Sequence, residues 1–453
     1  MRTIIFFVIV LSFTTISAQG SHSDVAGQIK DKGLEDQSAY EMLKDLTANV
    51  GNRLSGSEGY EKAVLWGKKA LEISGADSVW LEPVMIPKWV RGNVEIASAS
   101  AWGKKFELTV CALGGSVGTP PEGITGDVIE VQSLEEVKDL GKKAAGKIIF
   151  YNRPFDKTKV NTGEAYGGAV NQRSSGASEA AKVGAIGVLV RSMTNALDDV
   201  PHTGALNYKD SIPKIPAAAI STVGANLLSS LLRKSNPVKV SMQLSAQSYP
   251  DVPSYNVIGE IRGTSLPGEI VLVGGDLDSW DKGTGSHDDG SGVVQSIEVL
   301  RIIKSLNLKP TRTIRAVLFA NEENGLKGAR AYAARERNKK EKHIAAIESD
   351  AGGFLPRGFG VSTDSIRFEK IKGYSSLLEL VGAERIKKGG GGADISTLQS
   401  SGTVQIGLDP GSQRYFDYHH SNNDTIDKVH PRELELGAIA ITILAWAIAQ
   451  DGI

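Results

Sequence analysis

Apolar residues along this chain change period several times, and each change marks an element. From Asp36 to Val50 they recur at helical spacing, at Tyr40, Leu43, Leu46 and Val50, which predicts an amphipathic helix ended by Gly51. A second helix is predicted from Gly59 to Ser74, stopping near Gly75. Short strands and turns follow from about Val79 to Val110. The stretch Gly114 to Gly123 then collects glycine, serine, threonine and the adjacent Pro120 and Pro121, the makeup of a linker. Beyond it, strands are expected at Ile124 to Val131, Lys147 to Tyr151, Ile186 to Val190 and Ile215 to Ile220, with a small-residue helix from Ser174 to Val183. Gly114 to Tyr249 therefore reads as an inserted second domain, smaller and β-rich. The alternative is that these strands join the main sheet.

A larger domain is expected to comprise 19–113 and 250–453. Its second part opens with the alternating strand Ser254 to Glu260 and the apolar strand Glu269 to Val273, which ends in Gly274-Gly275. A helix is predicted over Gly292 to Leu306, and strands over Thr313 to Phe319, Ala345 to Glu348 and Thr403 to Leu408. Strands alternating with helices imply an α/β fold with an open, mainly parallel mixed sheet and helices on both faces. The last predicted helix, Arg432 to Ala449, is apolar on most sides, yet its fully apolar run is short for a bilayer, so it reads as a core helix.

Composition narrows the function. The chain of 453 residues is long enough for two or three folded units. Its formal net charge of −1 leaves no global basic field to gather nucleic acid or anionic lipid, so a partner has to be argued from a local site. Arg2, the apolar run Ile4 to Phe13 and the small residues Ser17 and Ala18 have the layout of a signal peptide over 1–18, which points to a secreted or periplasmic protein. Cys111 is the single cysteine, so neither an internal disulfide nor a cysteine-rich zinc site can form. It follows the alternating Phe106, Leu108 and Val110 and reads as a buried strand residue, not a nucleophile.

Three predicted strands run into carboxylates. Ile270 to Val273 leads to Asp276 and Asp278, then through a glycine-rich loop to Asp288 and Asp289; Ala316 to Phe319 leads to Glu322 and Glu323; Ile344 to Ile347 leads to Glu348 and Asp350. Sites in open α/β sheets form beyond the carboxyl ends of the strands, so distant segments would aim these acids at one place. Any one such acid is ordinarily a cap or a solvated turn residue. Together they repel one another, and divalent cations relieve that repulsion. The late pair His419 and His420, followed by Asp424, adds the imidazole that catalytic zinc sites combine with carboxylate.

The motifs Gly274-Gly275-Asp276-Leu277-Asp278-Ser279-Trp280, Asp288-Asp289-Gly290, Asn321-Glu322-Glu323, Glu348-Ser349-Asp350 and His419-His420-Ser421-Asn422-Asn423-Asp424-Thr425 closely resemble the carboxypeptidase Q family, within the clan of co-catalytic zinc aminopeptidases and carboxypeptidases. Gly51-Asn52-Arg53-Leu54-Ser55-Gly56-Ser57 resembles that family's N-terminal signature, and the middle segment resembles its protease-associated insert. The resemblance implies two zinc ions bridged by Asp288, with Glu323 and His420 completing one and Asp350 and position 276 the other. It implies Glu322 as general base and a cis peptide between Asp288 and Asp289. It also implies a peptide substrate and a homodimer.

The sequence departs from the family at Asp276, where the pattern has histidine. The second set becomes Asp276, Asp288 and Asp350, all oxygen, which suits manganese or another hard ion better than an imidazole site does. Asp278, which would orient the histidine ring, has no ring to orient and should repel Asp276. His287 reads as a group on the rim of the site. Tyr415 is a candidate hydrogen-bond donor, and Asp394, just after Gly389 to Gly392, could hold a substrate amine or line the cleft. Three functions stay open: an exopeptidase of carboxypeptidase or dipeptidase type, an aminopeptidase with the same metals, and a degenerate peptidase that binds peptides. A basic group for a carboxylate or an acid for an amine would separate the first two.

Overall fold

The computed structural model describes residues 21–235, 237–335 and 340–453. The expected leader over 1–18 lies outside them. Two sheets of eight strands organise the described residues.

Across the first sheet the strands run Ser78–Val90, Gln247–Ile261, Arg312–Phe319, Leu266–Asp276, Lys342–Glu348, Val404–Pro410, Pro356–Ser362 and Arg385–Lys388. The four in the middle are parallel to their neighbours, and antiparallel strands flank them, so the sheet is mixed. The register matters for function. Asp276 lies opposite Phe319, and Gly274 opposite both Val317 and Glu348, so three strands end level with one another.

Both faces of this sheet are covered, as the apolar runs require. Val271 and Val273 pack with Val293 and Ile297 of the helix Ser291–Ser305 and with Ile443 of the helix Pro431–Asp451. Leu272 and Val317 point the other way, toward Ala329, Tyr332 and Ile395. By length and composition the helix Pro431–Asp451 could cross a membrane, but 83% of its most apolar stretch is buried against the sheet and its neighbours. Its apolarity is thus accounted for by the core. Several helices go beyond the predicted elements, among them His22–Asp36, Leu134–Leu140, Thr162–Ala169, Thr222–Lys234, Lys327–Ala334 and Ser365–Lys372; the first packs on the core of this sheet. Its buried face consists of Val25, Ala26, Ile29 and Gly33, with too few large apolar residues to make a strong periodic signal. Small residues are what the contact needs, since a Cβ on Gly33 would meet Ile439 at 2.5 Å.

In the second sheet the order is Lys104–Leu108, Glu95–Ala101, Lys239–Leu244, Ile124–Val131, Ile148–Tyr151, Gly187–Arg191, Ala217–Ile220 and Val110–Ala112. It therefore begins at Glu95, ahead of Gly114, because Ala97, Ala99 and Leu108 share a core with Val240 and Leu244. The helix Thr222–Lys234 packs on one face through Ala225, Leu228 and Leu231, and the helix Gly176–Lys182 on the other through Ala177 and Ala180. The single helix expected over 174–183 is two, Asn171–Ser174 and Gly176–Lys182, with the ring of Tyr151 against Gly176 at the break. The two sheets meet at Trp280. Its ring occupies the space where a side chain at Gly114 would stand, and Trp89 beside it donates its indole N–H to the Ser116 carbonyl at 2.9 Å.

Candidate metal centre

Because three strands end level, the residues just beyond them are neighbours. Asp276, the Asp288-Asp289 segment, Glu322-Glu323 and Asp350 all lie past the carboxyl edge of the first sheet. The segment Tyr415–Tyr418 brings His419 and His420 over them. A cavity of about 300 Å3 opens there, lined by Asp288, Glu322, Glu323, Asp350, Tyr415, His419 and His420 together with Tyr166, Arg173 and Phe416.

The side chains divide into two groups. In the first, His420 Nε2 is 3.1 Å from Glu323 Oε2 and 3.3 Å from Asp288 Oδ2. His419 stacks on His420 with ring centres 3.5 Å apart, and Asp288, His419 and His420 offer ligand atoms that all lie within 4.8 Å of one another. His420 takes a left-handed backbone conformation at φ 60°, uncommon for a residue with a side chain. The Tyr415 hydroxyl donates to Asp288 Oδ1 at 2.5 Å, and the Trp280 N–H donates to Glu323 Oε1 at 3.1 Å, so both acids are oriented from outside.

The second group holds oxygen alone. Asp276, Asp289 and Asp350 offer ligand atoms within 4.8 Å of one another. The expected third acid was Asp288; the acid gathered here is its neighbour Asp289, which sequence reasoning placed in the motif but gave no role. Asp289 Oδ1 accepts the Gly292 N–H at 2.9 Å, while its Oδ2 is buried and has no hydrogen-bond partner among the described residues. A buried carboxylate oxygen left unpaired is costly, and a cation would satisfy it. The peptide bond between Asp288 and Asp289 is cis.

Asp278 repels Asp276, as expected, and its charge is one of those that raise Asp276, but its own oxygens are satisfied elsewhere. Its two oxygens accept the Ser55 hydroxyl at 2.9 Å and the Glu322 N–H at 3.0 Å, which orients the Glu322 backbone in place of a histidine ring. Asp394 does not line the cleft. It is wholly enclosed, both its oxygens lack partners among the described residues, and it sits beside Glu348, whose carboxylate accepts the Ile395 N–H at 2.9 Å. His287 is a core residue, not a rim group: its ring lies nearly parallel to those of Phe354 and Tyr418, with centres 4.3 and 5.3 Å away, and its Nδ1 accepts the Gly353 N–H at 3.1 Å. Burial holds it down to a pKa of about 4, so it stays neutral. Asp424 anchors the loop, accepting the backbone N–H groups of His287 at 2.7 Å and Asp288 at 3.1 Å.

Arg53 explains the N-terminal signature. Fully buried, it donates to the carbonyls of Leu277 at 2.7 Å, Thr284 at 2.8 Å and Gly285 at 2.9 Å, tying together both ends of the loop that carries the first acids to Asp288. A signal for this was present in the sequence only as the motif around it.

Burial and mutual repulsion, in that order, raise every acid of the cluster. Glu322 is pushed up to about 8 and Asp288 to about 6, and Asp276, Asp289, Glu323 and Asp350 lie well above the usual carboxylate range. Burial drives His419 and His420 well below the ordinary imidazole value, with the field of Arg173 adding to the effect on both. Neutral imidazoles and crowded carboxylates are the donor set of a divalent metal centre. The residues present fit such ions.

Comparison with known proteins agrees. The model of peptidase family M28 matches residues 256–446. Carboxypeptidase Q of Bos taurus is 36% identical over 443 residues, covering 97% of this chain and 92% of the relative. The chain belongs to peptidase family M28. It is a metallopeptidase of the carboxypeptidase Q-like type, and an exopeptidase. Carboxypeptidase Q of Homo sapiens is 37% identical over 412 residues, covering 91% of this chain and 85% of the relative. The crystal structure of a Peptidase M28 precursor from Shewanella amazonensis SB2B superposes with a TM-score of 0.91 at 35% identity, covering 95% of this chain and 97% of that one. The fold extends to a zinc aminopeptidase from Bacillus subtilis, with a TM-score of 0.66 at 20% identity over 92% of this chain and 95% of that one.

Proposed function

We propose that the protein hydrolyses dipeptides or short peptides as a carboxypeptidase or dipeptidase, with two divalent cations and Glu322 as general base. The observation that carries this reading is the split of two adjacent acids: Asp288 faces histidines and Asp289 faces carboxylates. Asp288, Glu323 and His420 would hold one cation, which we assign as zinc because imidazole and carboxylate are its usual donors. Asp276, Asp289 and Asp350, with Asp288 on the shared side, would hold the other, and this oxygen-only set suits zinc or a harder ion such as manganese. Bound there, the ions lower the pKa of water and polarise the scissile carbonyl.

The chain's own groups do the rest. Glu322 lines the cavity, and Asp278 holds its backbone N–H. Its carboxylate takes the proton of the attacking water and returns it to the leaving amine. Tyr415 keeps Asp288 in place and is a positioning residue. Tyr166 and Phe416, stacked 4.8 Å apart, give the cavity an apolar part of its lining.

Three further parts of the reading rest on the sequence. The leader-like segment before residue 19 supports export. The gathering of the 95–244 strands into their own sheet supports an inserted domain. Assembly as a homodimer follows from the family resemblance, and gel filtration tests it.

The deciding experiment is metal analysis of the purified protein together with release of amino acids from a dipeptide panel. Two ions per chain and turnover that is lost to a chelator and restored by zinc or manganese are expected. Absence of turnover with every divalent metal tried would leave a peptide-binding protein instead.

A further inference from the structure

The second sheet has a carboxyl edge and a cavity of its own. Ile124–Val131, Ile148–Tyr151 and Gly187–Arg191 are parallel and end level, with Val131 opposite Tyr151 and Tyr151 opposite Val190. The residues that follow these strands and the helix Thr222–Lys234 wall a cavity of about 580 Å3, a size that suits a small molecule. It shares no lining residue with the metal cavity.

Arg191, 8% exposed, lines this second cavity. Its Nη1 donates to two neutral groups, Asn226 Oδ1 at 2.9 Å and Asn152 Oδ1 at 3.2 Å, while Nε and Nη2 make no hydrogen bond among the described residues. Arg91 and Arg315, similarly buried, each pair with an acid, Asp281 and Glu260, and Arg53 uses its whole fork on three carbonyls. Arg191 carries the desolvation without the partner. Burial works against its charge, and the field of Glu130 offsets that only in part.

Glu130 lines the same cavity, and Asn152 holds the two charges apart. The Asn152 Oδ1 that accepts from Arg191 belongs to the amide whose Nδ2 donates to Glu130 Oε1 at 2.6 Å, and the Ser229 hydroxyl donates to that oxygen at 3.0 Å. Glu130 Oε2 makes no hydrogen bond among the described residues, and Glu130 acts on Arg191 through its field alone. A guanidinium and a carboxylate left open one amide apart complement a molecule with a carboxylate and an ammonium on one carbon. Phe155 and Leu197 add apolar surface for a side chain. Phe155 also meets Phe416 edge-on with ring centres 5.4 Å apart, and Phe416 lines the metal cavity. One aromatic layer therefore separates this cavity from the place where an exopeptidase releases single amino acids.

We propose that this cavity is a second binding site, for a free amino acid held by its carboxylate at Arg191 and by its ammonium at Glu130. The exposed Arg233 and Lys157 also line it, so a plain anion is the competing occupant. The site is distinct from the metal centre and does not depend on which end of a peptide is cleaved.

The test is calorimetric titration of the metal-loaded chain with each of the twenty common amino acids, then with the amide and the N-acetyl derivative of any that binds, and with inorganic phosphate. At least one amino acid should bind, and loss of either charge should weaken it about 10-fold or more. Arg191→Gln should abolish this binding and leave kcat/KM on an unblocked dipeptide unchanged, which separates it from product bound at the metals. Glu130→Gln, at a half-buried position, should erase the preference for the free amine over its N-acetyl form, and it carries the test if Arg191→Gln does not fold. The proposal is overturned if no amino acid binds below about 10 mM. It is equally overturned if phosphate or the N-acetyl derivative binds as tightly as the free amino acid, which would leave a plain anion site, or if binding is unchanged in whichever of the two variants folds.

Discussion

The two halves of the metal centre are built on the same sheet edge with different donors. One half, around Asp288, brings two imidazoles and is held from outside by Tyr415 and Trp280. The other, around Asp289, brings three carboxylates, one of them with a buried oxygen that has no hydrogen-bond partner among the described residues. The first half can be neutral at one donor without a cation. The second is three like charges in a buried place, so it is the half that depends most on an ion. The difference lies in the donor atoms, imidazole at His419 and His420 on one side and carboxylate alone at Asp276, Asp289 and Asp350 on the other, and it teaches that one sheet edge can present a mixed and an all-oxygen donor set side by side.

The comparison can be broken or sharpened in a series of measurements. The largest effect is expected from Glu322→Gln, which belongs to neither half. kcat should fall by about 1,000-fold or more with metal content unchanged, as for loss of a general base; loss of metal along with rate would make Glu322 a ligand instead. Next is His420→Ala, which should weaken the ion of the first half by about 100-fold or more while the other is retained, read by metal analysis after dialysis. Departure of both ions together would mean that the halves are one site. Asp276→His should then raise zinc over manganese in the second half by roughly 10-fold, since imidazole is the softer donor. An unchanged ratio would remove Asp276 from the ligand set.

The smallest effect is on stability without metal. Glu322 and Asp288, raised to about 8 and about 6 by burial and by their neighbours, keep protons in the folded state that the unfolded chain releases near the ordinary carboxylate value. Their contribution is therefore full below about pH 4 and is lost as pH rises toward about 8. The Tm of chelated protein should drop by a few degrees relative to the metal-loaded protein between pH 5 and pH 8. A gap between the two that stays constant with pH would show that the acids are not what the ions relieve.

Much of this arrangement is legible along the chain. The apolar run Ile270 to Val273 ends in acids, and so do Ala316 to Phe319 and Ile344 to Ile347, so a strand edge rich in carboxylate follows from pattern alone. The strands Ile124–Val131 and Ile148–Tyr151 are read within one residue of their bounds, the first from alternating burial and the second from a continuous apolar run. The helix His22–Asp36 escapes, because its buried face has only Val25 and Ile29 as large apolar residues, beside Ala26 and the Gly33 that fits Ile439. The placing of Glu95–Ala101 in the second sheet escapes too, since alternation marks a strand without naming its partner.

What the sequence by itself determined is the chemical inventory: which acids and imidazoles stand at which strand ends, and that histidine is absent at position 276. Tertiary structure alone decided how they are shared out. Asp288 and Asp289 are neighbours in an irregular loop, where no period dictates which way a side chain points, and they serve opposite halves. Asp278 turns to Ser55 and Glu322, and Arg173, on the helix Asn171–Ser174, reaches the cavity through the gap left by Gly204. Period 2 and period 3.6 order side chains within an element; contacts between elements depend on register and packing, which are set only when the whole core closes.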